Sequence, residues 1–120
     1  MSIVLAETYV IKTGKDEEFM LLLEKFLEFK ETHPQLFDGV ESWRLYRQDI
    51  GQPVGLYIEL WEYASLAKLE ECNSRVFADD GMRAISVAYH ELVEPATICS
   101  SIWRPTILSA NRLVPQASQA

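Results

Sequence analysis

Apolar residues fill both alternating sets of residues 3–11. Val4, Ala6, Thr8 and Val10 fall on one side, and Ile3, Leu5, Tyr9 and Ile11 on the other, with Glu7 the one charge among them. A strand that is apolar on both faces is a strand covered on both faces. Thr13-Gly14-Lys15-Asp16 reads as a turn into a helix, with Asp16, Glu17 and Glu18 at the start, where the helix dipole favours negative charge. Phe19, Leu22, Leu23, Phe26 and Leu27 then recur at the helical period, and Pro34 stops the pattern. Phe37-Asp38-Gly39 is a turn. Residues 40–48, with Trp43, Leu45 and Tyr46, read as a second strand, 49–53 as a hairpin-length connection, and 55–63 as a third strand. In the third strand Leu56, Ile58 and Leu60 alternate with Tyr57, Glu59 and Trp61.

Ser65 is placed to cap the next helix, which Leu66, Leu69, Asn73 and Val76 continue on one face. Asp79-Asp80-Gly81 interrupts it and opens a second helical segment with a stripe of Met82, Ile85, Tyr89, Leu92 and Val93, ended by Glu94-Pro95. A last strand is expected within 98–108, with Ile102, Trp103 and Ile107; Pro105 marks an edge or the strand's end. The order β-α-β-β-α-β is the split βαβ, ferredoxin-like plan: an α+β domain with a four-stranded antiparallel sheet and helices on one face. One domain is expected over 1–108 and a flexible C-terminal tail over 109–120. Helices cover one face of such a sheet, yet strands one and three are apolar on both. A second copy packing sheet to sheet supplies the missing cover, so a homodimer is expected.

At 120 residues with 48% hydrophobic content the chain is long enough for one real core. A net charge of −7 argues against a nucleic-acid binder and against docking on anionic lipid, while leaving small-molecule partners open. Cys72 and Cys99 form neither a CxxC nor a metal spacing and read as free thiols of a reducing compartment. No stretch approaches the roughly 18 apolar residues of a membrane span, and the N-terminus lacks the basic segment of a signal peptide. A cytoplasmic location is the expectation.

Four segments together carry a family resemblance. They are the apolar first strand running into Lys12-Thr13-Gly14-Lys15-Asp16-Glu17-Glu18-Phe19; Gly39-Val40 followed by Ser42-Trp43-Arg44-Leu45-Tyr46-Arg47; Glu59-Leu60-Trp61-Glu62-Tyr63-Ala64-Ser65; and Leu92-Val93-Glu94-Pro95 before the final strand. In order and style they resemble the dimeric α+β barrels of the antibiotic-biosynthesis-monooxygenase-like kind, over about residues 3–108. The resemblance implies the barrel fold and a homodimer. It also implies an activity among those of the superfamily: oxygenases of aromatic polyketides that use no cofactor, heme-degrading enzymes and small isomerases. The heme-degrading branch frames its ligand with an Asn on strand one, a Trp ending strand three and a His on helix two. Here Trp61 matches, but Glu7 and Glu71 stand at the other two positions, so heme degradation is not supported.

Glu7 in an apolar strand is either a general acid or base in a pocket, or a structural residue in a salt bridge or at a strand edge. Glu59 lies between Tyr57 and Trp61. If the three line a helix-facing pocket, a carboxylate, a phenol and an indole meet there, which suits proton transfer on a flat substrate. The structural alternative for Glu59 is a cross-strand ion pair with Arg44 or Arg47. His90, beside the stripe of the second helix, is a candidate proton-transfer base or a surface histidine. Trp43, Trp61 and Tyr57 are candidate substrate-binding residues or packing residues. The two histidines, far apart in sequence and without an acidic cluster, give no metal site. The expected function is a cofactor-independent monooxygenase or isomerase acting on a small planar or aromatic molecule, with catalytic Glu59, His90 and Glu7. The alternative is a non-catalytic small-molecule-binding or structural dimer.

Overall fold

The computed structural model describes residues 2–106. The strands are β1 (Ile3–Val10), β2 (Val40–Arg47), β3 (Leu56–Tyr63) and β4 (Cys99–Trp103). The helices are α1 (Asp16–Thr32), α2 (Leu66–Ala78) and α3 (Asp80–Leu92), with short 3-10 turns at Pro34–Phe37 and Pro95–Thr97. The strands form one antiparallel sheet in the order β2-β3-β1-β4, the ferredoxin-like arrangement. The expected α+β class and element order are therefore what the chain adopts. The last strand is shorter than 98–108: it stops at Trp103, two residues before Pro105, on the sheet edge. Ile107 and the expected tail at 109–120 lie outside the described residues.

Local chemistry accounts for the element ends. Gly14, at φ +80, turns the chain into α1, a conformation that a side chain would strain. The α1 helix stops before His33-Pro34, and His33 Nδ1 donates to the Phe29 carbonyl at 3.0 Å, satisfying one of the open acceptors at that end. Ser65 caps α2 by accepting from the Lys68 N–H at 3.2 Å. Asp79 caps α3 by accepting from the Met82 N–H at 2.9 Å, while its own N–H closes α2 on the Val76 carbonyl at 3.2 Å. One residue thus sets the junction between the two helices. An Asp79→Ala variant is expected to lose about 1 kcal/mol of stability, read as a lower urea midpoint with an unchanged slope.

Packing divides the helix-facing side of the sheet into two clusters. One gathers Tyr9, Ile11, Phe19, Tyr57, Leu92 and Val93; the other gathers Ile3, Tyr63, Leu69 and Cys72. The β1–β3 register runs Ile3 opposite Tyr63, Leu5 opposite Trp61, Glu7 opposite Glu59 and Tyr9 opposite Tyr57. The two carboxylates therefore form a polar layer between two apolar clusters. On the opposite face, Val4, Thr8 and Val10 lie beside Leu56, Ile58 and Leu60, half-buried, with Tyr46 50% and Trp103 63% exposed toward its margins. No element among the described residues covers this face.

Candidate functional site

Glu59 is the hub of the helix-facing side. Its Oε2 accepts from the Tyr9 hydroxyl at 2.5 Å. Its Oε1 accepts from the indole N–H of Trp43 at 3.1 Å and of Trp61 at 3.0 Å. Sheet parity makes this possible: Trp43 is opposite Trp61, and Leu45 opposite Glu59, so β2 delivers its indole to the face on which Glu59 stands. Phe26 of α1 closes over the two indoles with ring centroids 5.5 and 5.9 Å away. The alternative ion pair of Glu59 with Arg44 or Arg47 does not form. Arg44 is the register partner of Leu60 and falls on the other face, and Arg47 is exposed.

Glu7 stands differently. It faces a cavity of about 130 Å³ between β1, β3 and the α2–α3 pair, walled by Leu5, Phe37, Trp61, Tyr63, Val76 and Phe77, with Asn73, Cys72 and Met82 completing it. Among the described residues no hydrogen bond or ion pair is made to its carboxylate. Burial pushes its pKa above the ordinary glutamate value, the negative charge of Glu59 across the strand pair adds to the rise, and the charge of His90 draws it partly back. Burial and the charge of Glu59 likewise hold the Tyr9 and Tyr89 phenols well above the usual tyrosine range. Burial also raises the Cys72 thiol, against an opposing pull from Arg75.

The rise at Glu7 has a sign in stability. The folded state keeps the proton to higher pH than the unfolded chain does. Stability from this group is complete below the ordinary value of 4.5 and is lost as pH climbs through the raised one. Glu7→Gln, which cannot ionise, is expected to be more stable than the wild type at about pH 8 and equal to it near pH 4. Urea midpoints at the two pH values check this; a wild type that is the more stable of the two at high pH would contradict it.

The structure brings Glu7, Glu59, Trp61 and Trp43 together on the helix-facing side, but only Glu7 and Trp61 of the six candidates line the cavity. Tyr57 is 1% exposed and stacks on Tyr9 with centroids 6.0 Å apart, a packing position whose hydroxyl has no partner. Trp43 is spent on Glu59. His90 is exposed on α3, where its Nδ1 donates to the Ser86 carbonyl at 2.8 Å, and it does not line the cavity. Glu71 is exposed and pairs with Lys68 at 3.7 Å. Sequence reasoning passed over Tyr9, Asn73 and Phe77. Tyr9 shares its alternating set with Glu7, and Asn73 is the polar member of the α2 stripe; both signals were in the pattern. A larger groove of about 470 Å³ runs outside between α1 and α3, bordered by Glu18, Glu24, Glu28 and Glu91, and holds none of the candidates. Among the described residues no three His, Cys, Asp or Glu converge as a metal site, and no helix is long and apolar enough to cross a membrane.

No family model and no curated protein matches the sequence. Solved structures match its fold almost end to end. A NIPSNAP family protein from Agrobacterium tumefaciens is 26% identical, with 91% of this chain and 97% of that chain covered and a TM-score of 0.72. A NIPSNAP-like domain protein from Burkholderia xenovorans is 18% identical, with 90% and 88% covered and a TM-score of 0.70. A candidate antibiotic biosynthesis monooxygenase from Caulobacter crescentus is 19% identical, with 88% and 90% covered and a TM-score of 0.66. The chain has the fold of these proteins, which belong to the dimeric α+β barrel superfamily, and the resemblance noted in the sequence holds at that level.

Proposed function

We propose that the chain is a homodimer, joined through the uncovered sheet face, in which each protomer binds a small molecule in the cavity beside Glu7. There the Glu7 carboxyl acts as general acid or base in a cofactor-independent proton transfer. Such a step suffices for an isomerisation and is the opening step of an oxygenation that uses no cofactor. The observation that carries this reading is the division of labour between the two facing carboxylates. Glu59 has its oxygens taken up by three fixed donors, whereas Glu7 faces the cavity with no partner and a raised pKa. A general acid or base needs a carboxyl free of fixed partners with a pKa raised from the ordinary carboxylate value, and Glu7 has both. Trp61 offers a flat wall for a planar body, and its N–H bond to Glu59 holds it in place.

A second reading, a non-catalytic binding dimer, is favoured by the exposure of His90, which leaves one titratable carboxyl in the cavity. Native mass spectrometry of gently purified protein, followed by deuterium wash-in on the released molecule, separates the two. A dimer carrying a small mass, whose carbon-bound hydrogen exchanges on the wild type but not on Glu7→Gln, is the expected result. Exchange that persists on Glu7→Gln removes Glu7 from the chemistry. A bound molecule that never exchanges leaves the binding dimer, and a bare monomer overturns the homodimer.

A further inference from the structure

The walls of the cavity say more about the ligand than its size does. Among the described residues four aromatic rings border it, those of Phe37, Trp61, Tyr63 and Phe77, and no Lys or Arg does. The one ionisable carboxyl in its lining is Glu7, and a second carboxylate, Glu59, stands directly across the strand pair. Aromatic faces present negative charge to whatever they enclose, and a cation over such a face gains about 0.5–2 kcal/mol, more as water is excluded. An anion over such a face meets repulsion instead. We propose that the cavity binds an organic cation, a small primary or quaternary amine with an apolar body, with the ammonium group set against Glu7 and the rings. The proposal rests on the reading of this cavity as the ligand site and adds the charge of the ligand to it.

Two further observations agree. The half-buried Glu7 carboxylate has no hydrogen-bond or ion-pair partner among the described residues, and an ammonium ligand is such a partner. Phe77 is 69% exposed at the cavity margin, so a cation enters past a ring while still hydrated. The charged and titratable groups around Glu7 are Glu59 and Tyr63 on β3, Tyr9 on its own strand, Cys72 on α2, and Tyr89 and His90 on α3. Of these only His90 can be positive, and it is exposed outside the cavity. Protonation of Glu7 at acid pH removes the charge that would face the ammonium group. Affinity for a cation is therefore expected to rise from acid toward neutral pH and above, as long as the amine keeps its proton.

Isothermal titration calorimetry with three matched probes tests this: benzylamine, which is cationic, benzyl alcohol, which is neutral, and benzoate, which is anionic. The expected result is binding of benzylamine about tenfold tighter than benzyl alcohol, with benzoate weakest. Glu7→Gln is expected to erase the preference for the amine while benzyl alcohol binds as before. Phe77→Leu, at an exposed position on the cavity margin, is expected to weaken the amine more than the alcohol. Equal or preferential binding of benzyl alcohol or benzoate leaves the cavity as a ligand site and overturns the cationic ligand. Failure of all three probes to bind removes the cavity reading itself, and the inference with it. A preference for the amine that survives in Glu7→Gln also overturns it.

Discussion

An Ile58→Glu variant is expected to be monomeric under conditions where the wild type is a dimer. Ile58 lies at the middle of β3, between Thr8 of β1 and Tyr46 of β2, on the face that no helix covers. In an isolated protomer this position borders water, so a carboxylate there costs the fold little. In a sheet-to-sheet dimer the same carboxylate enters an apolar layer, once from each copy; the nearest cation on this face within the protomer, Arg44 on the edge strand β2, is exposed and lies diagonal to it rather than opposite. Burying unpaired charge costs several kcal/mol, so the dimer should weaken by about a thousandfold or more, about 4 kcal/mol. Light scattering across a dilution series reads it directly. The matching control is Leu21→Glu, on α1, where Leu21 is 62% exposed and borders the outer groove; it should leave the dimer intact. A wild type that is monomeric at every concentration, or an Ile58→Glu protein that dimerises as well as the wild type, would sink sheet-to-sheet pairing.

The same parity that places Ile58 shows why the fold was legible in the sequence. Period two in 55–63 and period 3.6 in 19–27 are local properties, and the chain obeys them because the faces they create are what the core needs. Ser65 and Asp79 announced their helix starts by side-chain chemistry alone. The site was less legible, because it is made by registers between distant segments. Glu59 meets Tyr9 across 50 residues and Trp43 across 16. Whether β2 presents Trp43 or Arg44 to Glu59 turns on a shift of one residue, and the irregularity between Val40 and Ser42 lies just before them. A sequence pattern cannot count across that irregularity, so the sequence offered Arg44 or Arg47 as the partner of Glu59 and not the indole of Trp43. His90 stands outside the cavity because of its place on the helix: it follows Tyr89 by about 100° of helix rotation, enough to carry it off the stripe and into solvent.

The carboxylate layer has a physical consequence for how the domain holds together. Two apolar clusters flank it, and a fold built for stability alone would merge them with apolar residues at positions 7 and 59. Two facing glutamates instead place like charges opposite each other on neighbouring strands, which is unfavourable. The arrangement persists because one of the two is bound by three donors. Glu59 fixes Tyr9, Trp43 and Trp61 at once, tying β1, β2 and β3 together by side chains as well as by their ladders.

Glu59→Ala should therefore be among the most damaging single substitutions in the chain. It removes the acceptor of one hydroxyl and two indole N–H groups, all part-buried, and opens space beneath Phe26. A buried donor left without a partner costs about 1–3 kcal/mol, so three of them predict a loss of at least about 3 kcal/mol. Glu59→Gln keeps one acceptor oxygen but turns an NH2 toward the remaining donors, and about 1–2 kcal/mol is expected. Urea unfolding followed by tryptophan fluorescence measures both, because Trp43 and Trp61 report on the bond being broken. A double-mutant cycle of Glu59→Gln with Tyr9→Phe should return a coupling of about 1 kcal/mol, since each single change breaks the same hydrogen bond. Glu59→Ala has a second signature. Removing its charge takes away one of the two causes that raise Glu7, so stability should fall less steeply with rising pH than in the wild type. A Glu59→Ala protein within about 1 kcal/mol of the wild type would mean that water satisfies the three donors, a part that ordered waters commonly play at polar sites. Glu59 would then be an ordinary strand residue, and the contrast with Glu7 on which the proposed chemistry rests would be lost.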